Sequence, residues 1–236
     1  MRKRISNYIL PLLLSSLLLV PVAGRSQTKF EKVTIIQEKE KVPFYQGTAI
    51  GVEVAGPISH LLGSDILNSE VQVQSNLKNM FFPTVEIGYG KTDSFNEDTE
   101  LSYKTSAPYF RVGLDINALY KKPHLPGWLL VGIRYGFTSF TYDVKGPAMQ
   151  DPNYGGLVTV PFDYPGQKSK AGWVEIVCGM KARIYKGFCM GWSVRYKRRL
   201  SITANENAEA WYVPGFGKNG ETSFNFTYNL IYNLPF

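Results

Sequence analysis

Histidine and cysteine are scarce, with two of each in 236 residues. Two histidines leave little room for imidazole chemistry, and neither Cys178 nor Cys189 sits at a spacing that could ligate a metal. No metal or cofactor is expected. The cysteines fall on adjacent expected strands, but strand parity turns one outward and one inward, so no disulfide is expected even in an oxidising compartment. Long apolar runs are also missing beyond the N-terminus. No later segment approaches the roughly 18 consecutive apolar residues of a helical membrane span, so any membrane crossing must use strands.

The N-terminus has the layout of a secretory signal. Met1-Arg2-Lys3-Arg4 is a basic start, Ile9 to Val22 is an apolar stretch, and Val22-Ala23-Gly24 offers small residues for cleavage. Residues 1–24 are therefore expected to be removed. No cysteine lies near that point, which argues against a lipid anchor. The formal charge of +7 includes Arg2, Lys3 and Arg4, so the exported chain is only mildly basic, and export argues against a nucleic-acid partner. Residues 25–45 form an expected periplasmic leader whose charged tract holds Glu31, Lys32, Glu38, Lys39, Glu40 and Lys41.

From Gln46 onward the pattern becomes strict alternation broken by Gly, Pro, Asn and Asp clusters. Eight segments can be counted: Gln46 to Ala55, Ser69 to Leu77, Pro83 to Thr92, Tyr109 to Ala118, Trp128 to Tyr142, Ala171 to Tyr185, Phe188 to Ser201, and Phe224 to Phe236. In the fourth, Phe110, Val112, Leu114 and Ile116 oppose Arg111, Gly113, Asp115 and Asn117. Trp173 and Val177 break the pattern of the sixth. The links alternate between short and long, as in a barrel with tight turns at one end and large loops at the other. Residues 46–236 are accordingly read as an all-β, antiparallel up-and-down transmembrane barrel of eight strands. A ten-stranded version would need another pair hidden in the long loops.

Closing the sheet satisfies every backbone group inside hydrocarbon. Outward residues must then be apolar, while an eight-stranded lumen is only wide enough for side chains, with acids matched by bases. Glu53, Glu86, Asp115 and Glu175 against Arg111, Arg134, Lys181, Arg183 and Arg195 form that expected interior network. A filled polar plug is expected rather than a conducting pore. Aromatic content of 14%, including 15 Tyr and 14 Phe, suits the interfacial girdles of such a barrel.

The last strand carries the most specific motif. A terminal aromatic preceded by alternate apolar residues resembles the signal read by the outer-membrane barrel assembly machinery, with Tyr228, Leu230, Tyr232, Leu234 and Phe236 in the matching positions. Together with the export signal and the segment Pro83-Thr84-Val85-Glu86-Ile87-Gly88-Tyr89-Gly90, it makes the chain similar to a family of small outer-membrane barrels of Bacteroidota-like bacteria, and more distantly to OmpA/OmpX-type barrels. That resemblance implies a fold and a place in the cell outer membrane, but no reaction, since such barrels serve as adhesins, assembly partners, lipid-modifying enzymes and anchors. The reading is a monomeric, non-enzymatic structural or interaction protein in contact with outer-membrane lipids and lipopolysaccharide, with a small solute pore as the alternative.

Two clusters carry possible chemistry. His60 follows the first strand, and Asp93-Ser94 begins the second expected loop, an arrangement that looks like the palmitoyl-transferring barrels and would let an imidazole act as general base. His124 lies in a turn. The second cluster is basic: Lys168, Lys170, Lys197, Arg198 and Arg199 are expected to meet at the outer rim, where lipopolysaccharide phosphates are natural counter-ions. The loops Asn153-Tyr154-Gly155-Gly156 and Trp211-Tyr212-Val213-Pro214-Gly215 suit partner binding or plain hydration equally.

Overall fold

A computed structural model of the chain describes residues 43–122, 125–150, 159–206 and 208–235. The expected signal and leader up to residue 42, His124, the 153–156 loop and Phe236 lie outside the described residues. Alternation along the chain yields eight long strands: β1 (Tyr45–Glu53), β2 (Ile66–Leu77), β3 (Phe81–Asn96), β4 (Leu101–Asn117), β5 (Gly127–Lys145), β6 (Asp163–Tyr185), β7 (Phe188–Ile202) and β8 (Thr222–Asn233). Each pairs antiparallel with the next, and β8 returns to β1, so the sheet closes as an up-and-down barrel. A short helix, α1 (Ala55–Leu61), follows β1. The ten-stranded alternative does not arise among the described residues. The loops contribute only two-residue ladders, Met149–Gln150 with Thr159–Val160 and Tyr212–Val213 with Gly217–Lys218, which stay outside the ring.

The turn end is tight for local reasons. Lys78 and Asn79 both take positive φ, 54° and 55°, and Met80 N–H returns to Leu77 C=O at 3.0 Å. This is the two-residue hairpin geometry whose twist matches the flanking strands, and Asn tolerates it. At the other end, two of the expected long loops shrink. Asp93 to Ser106 is mostly strand, because β3 runs on to Asn96 and β4 begins at Leu101. The fifth link likewise loses both ends, to Lys145 and from Asp163.

Strand lengths are uneven. β1, β2 and β8 have 9, 12 and 12 residues, whereas β4, β5 and β6 have 17, 19 and 23. About 9–11 tilted residues cross a bilayer, so one side of the barrel rises well above the other. The outward face records the boundary. On β5, Leu129, Val131, Ile133, Tyr135 and Phe137 give way to Ser139, Thr141, Asp143 and Lys145 at the same parity. On β3, Val85, Ile87 and Tyr89 give way to Lys91 and Asp93. Ile133 is 67% exposed and Val112 53%, and such side chains ring the barrel. A continuous apolar belt of this extent is stable against hydrocarbon and not against water.

Above the belt the polarity inverts. Phe140, Tyr142 and Val144 of β5 point inward, with Tyr103, Ala107 and Tyr109 of β4. This tall wall is built like a soluble sheet, with its apolar side inside.

Candidate functional site

The interior is stacked in layers. At the turn end, Ala49, Phe82, Trp128, Leu130, Cys189 and Ile231 form an apolar floor. Asn79 folds into it, accepting the Trp128 Nε1 proton on Oδ1 at 2.7 Å. Above the floor a polar layer gathers Gln74 and Thr84 against Asp115 Oδ2, at 3.1 and 3.3 Å. The layer above that is charged.

Three guanidiniums knit four carboxylates there. Arg195 Nη2 lies 2.6 Å from Glu70 Oε1, and its Nη1 lies 3.0 Å from Glu86 Oε2. Arg111 bonds Glu70, lies 3.2 Å from Glu86 Oε2, and sets its Nε 2.8 Å from Glu175 Oε1. Arg134 bonds Glu86 and places Nη2 2.9 Å from Asp115 Oδ2. All seven groups are buried. Planar guanidiniums suit this role because each can fork onto more than one carboxylate.

Register explains the gathering. Glu86 is directly across from Arg111, Arg134 from Glu175, and each sits at inward parity. Small residues opposite make room for the large ones. A side chain at Gly88 would strike the Tyr109 ring, and one at Gly136 would strike the Trp173 indole. Trp173 and Val177, which interrupt the expected apolar face of β6, are inward residues. Trp173 Nε1 donates to Glu175 Oε1 at 2.6 Å, and its ring meets Phe216 edge-on at 5.9 Å.

The lid is the last loop, between β7 and β8. It dips into the mouth and buries Tyr212, Val213 and Phe216 against the aromatic interior of the tall wall. Its main chain is gripped from below: Arg111 Nη2 donates to Gly215 O at 2.8 Å, and Lys197 Nζ donates to the same oxygen at 2.6 Å. Tyr212 donates its phenol to Asn68 Oδ1 at 2.9 Å, and burial pushes that phenol up to about 12.

Cavities sit at the two ends. One of about 500 Å³ lies beneath the lid beside α1, and one of about 420 Å³ lies at the turn end. Between them, bordered by Gln74, Asp115 and Arg134, is a void of about 30 Å³, room for a single water. A further cleft of about 880 Å³ opens between the β3–β4 hairpin tip and the lid, bordered by Ser94, Phe95, Tyr103 and Trp211.

A family model matching residues 5–236 carries the description "Domain of unknown function (DUF6048)". The chain belongs to this family. No curated protein matches the DUF6048 chain. Among solved structures it is similar to the crystal structure of a major outer membrane protein from Thermus thermophilus, at 10% identity and a TM-score of 0.45 over 80% of this chain and 100% of that one.

Several expected site residues stand elsewhere in this DUF6048 barrel. Arg183 is exposed at the turn end, 5.5 Å from the Trp128 ring, because β6 overshoots the floor there. Lys181 is interior but bonds Asn233 Oδ1 at 2.9 Å, far down the wall from the arginines. Glu53 is interior too, yet its partner is the Gly56 N–H at 2.9 Å. Lys197 and Arg199 are not at the outer rim: odd residues of β7 point inward, and Arg199 bonds Asn219 of the lid. Lys168, Lys170 and Arg198 do face outward. Both lysines border a depression of about 670 Å³ with Ser106, Ser139 and Thr141, where Pro108 interrupts the β4–β5 ladder.

The possible acyl-transfer residues do not meet. His60 Nδ1 pairs with Ser64 O at 2.7 Å, Asp93 faces outward in an ion pair of 3.2 Å with Lys104, and Ser94 is on the opposite face of β3. No hydrogen bond among the described residues joins the three. Glu70 is the network member that sequence reasoning passed over, although it shares parity with Gln72 and Gln74.

Proposed function

We propose that this chain is a sealed outer-membrane barrel with a structural or interaction role and no enzymatic activity, its long loops outside and its tight turns in the periplasm. The observation that carries this reading is the lumen itself. Four carboxylates, three guanidiniums and an aromatic lid lie across it, and among the described residues the space bordered by Gln74, Asp115 and Arg134 between the two end chambers is a water-sized void. Eight strands leave no room for a parallel path.

The outward face supports contact with outer-membrane lipids. Lys168 and Lys170 sit just above the apolar belt, where lipopolysaccharide phosphates lie, and Arg198 faces the same side. Tyr228, Leu230 and Tyr232 on β8, with Leu234 just after it, form the surface that the assembly machinery would take up. The tall wall and its cleft offer the external face for a partner.

Planar-bilayer recording of the folded, heat-modifiable protein tests the proposal. Insertion without discrete conductance steps is expected. Stable single-channel openings would refute the sealed lumen and restore the small-pore reading.

A further inference from the structure

The barrel has an open seam. β1 stops at Glu53, paired with Asn229 of β8, and one more bond follows, from Val54 N–H to Tyr228 O at 2.9 Å. There α1 turns away toward β2 and only brushes β8, which extends back to Thr222 with β7 as the one strand paired to it among the described residues. Even-numbered residues of β8 aim their backbone groups at β1, as the Tyr228 bond and the pairing of Leu234 N–H with Thr48 O show. By that parity the N–H and C=O groups of Phe224 and Phe226 face the seam unpaired by any strand. An open edge at hydrocarbon depth is costly unless something occupies it.

The chamber of about 500 Å³ leads to that seam. It is bordered by Asn225 and Thr227, which point inward, and equally by Phe224 and Phe226, which point outward, so it passes around the edge of β8 to the barrel exterior. Inside are two buried ionic groups, a carboxylate with one oxygen unsatisfied and an ammonium held by carbonyl oxygens. Glu53, 4% exposed, accepts the Gly56 N–H on Oε1, but its Oε2 has no donor. Lys197, 2% exposed, donates to Gly215 O and Phe216 O and has no carboxylate within 4.0 Å among the described residues. Outside, the seam is greasy on both sides: Phe224 is 74% exposed and Phe226 53%, and across from them Ile58, Leu61 and Leu62 of the α1 segment are 51%, 85% and 69% exposed.

A carboxylate oxygen lacking a donor, an ammonium with no carboxylate in direct contact, and an apolar margin together describe a zwitterionic amphiphile. We infer that the seam is a lateral docking site for a phospholipid with a phosphoethanolamine head. The head's ammonium meets Glu53 Oε2, its phosphate meets Lys197, and the acyl chains lie outside between α1 and β8. The amine must carry N–H protons, because Glu53 offers only an acceptor. A phosphocholine head has the same charges without the donor, and a phosphoglycerol head lacks the cation. This inference rests on the membrane reading of the apolar belt.

The test reconstitutes the full chain in nanodiscs of phosphatidylcholine doped with either phosphatidylethanolamine or phosphatidylglycerol, and reads retained lipid by native mass spectrometry. Phosphatidylethanolamine is expected to be retained about tenfold over the other two, the worth of one charge-assisted hydrogen bond. Glu53→Gln should erase that preference. Asn225→Phe, which narrows the chamber while keeping both Glu53 and Lys197 in the chain, should do the same and covers the case in which Glu53→Gln fails to fold. Equal retention of the three lipids, or an unchanged preference in the folded variants, overturns the inference. So does water-soluble glycerophosphoethanolamine binding as well as the lipid, since the chamber would then take a free head through the mouth. Recovery of the chain as a detergent-free soluble protein would instead sink the membrane reading, and heat-modifiable mobility of the nanodisc sample separates the two failures.

Discussion

Arg195 is the most informative residue to remove. It is completely buried, and its two terminal nitrogens reach Glu70, Glu86 and Glu175 at 2.6, 3.0 and 3.9 Å. The layer around it holds Glu70, Glu86, Asp115 and Glu175 against Arg111, Arg134, Arg195 and Lys197, four charges of each sign. Arg195→Met keeps most of the volume and leaves the layer one negative charge in excess. Removing one member of a buried ionic set costs about 3–5 kcal/mol, because the partner left behind stays dehydrated. That is roughly two to four powers of ten in the unfolding equilibrium. Arg195→Met combined with Glu70→Gln restores neutrality, so the double variant should be more stable than Arg195→Met alone although it lacks two groups. Urea unfolding from detergent micelles, followed by tryptophan fluorescence and heat-modifiable mobility, measures all three. A loss below about 1 kcal/mol for Arg195→Met, the scale of a solvent-exposed pair, would refute the reasoning. Strict additivity in the double variant would refute it equally.

Gly136→Val should force the Trp173 indole out of its place against Glu175, costing about 1–3 kcal/mol by overpacking and shifting the tryptophan emission; an unaltered spectrum would mean the indole does not depend on that space. The docked Tyr212 phenol is held at about 12 against an ordinary 10.0, so its contribution to lid docking is complete below pH 10 and is lost as pH rises toward 12. Phenolate absorbance of the folded protein minus that of Tyr212→Phe should therefore titrate near 12, and a component near 10 would show that the lid is not docked.

The belt was legible in the sequence because hydrocarbon imposes one rule on one face. Phe110, Val112, Leu114 and Ile116 share a parity and have no polar member among them, and β4 places all four outward. Arg111, Asp115, Arg134 and Glu175 were legible as interior for the converse reason: a charge at the opposite parity of a lipid-facing strand has nowhere else to go. Lys197 and Arg199 were harder. Basic residues near a strand end suggest a rim, and only the register of β7 shows that they reach inward beneath a loop. The lid itself was not legible. Tyr212, Val213 and Phe216 have no periodicity, and their burial depends on the height of strands far away in sequence. The height had left a trace, since Phe137 and Ser139 share a parity on β5 and mark where lipid ends. The strand simply continues past that mark with its rule reversed.

That reversal decides what stabilises each half. Within the belt, outward side chains leave one apolar surrounding for another, so lipid contact supplies little drive to assemble, and the interior there can be ionic provided every charge is matched. Above the belt, Ser139, Thr141 and Asp143 face water, and that half must find its cohesion by burying its own apolar side. Tyr103, Phe140, Tyr142 and Trp173 cannot do so alone, because the short strands β1, β2 and β8 end below them and leave the wall without an opposite face. The lid supplies that face. The uneven strand lengths therefore both require the plug and expose the seam beside α1, so the closed mouth and the open flank follow from the same shortfall of β1.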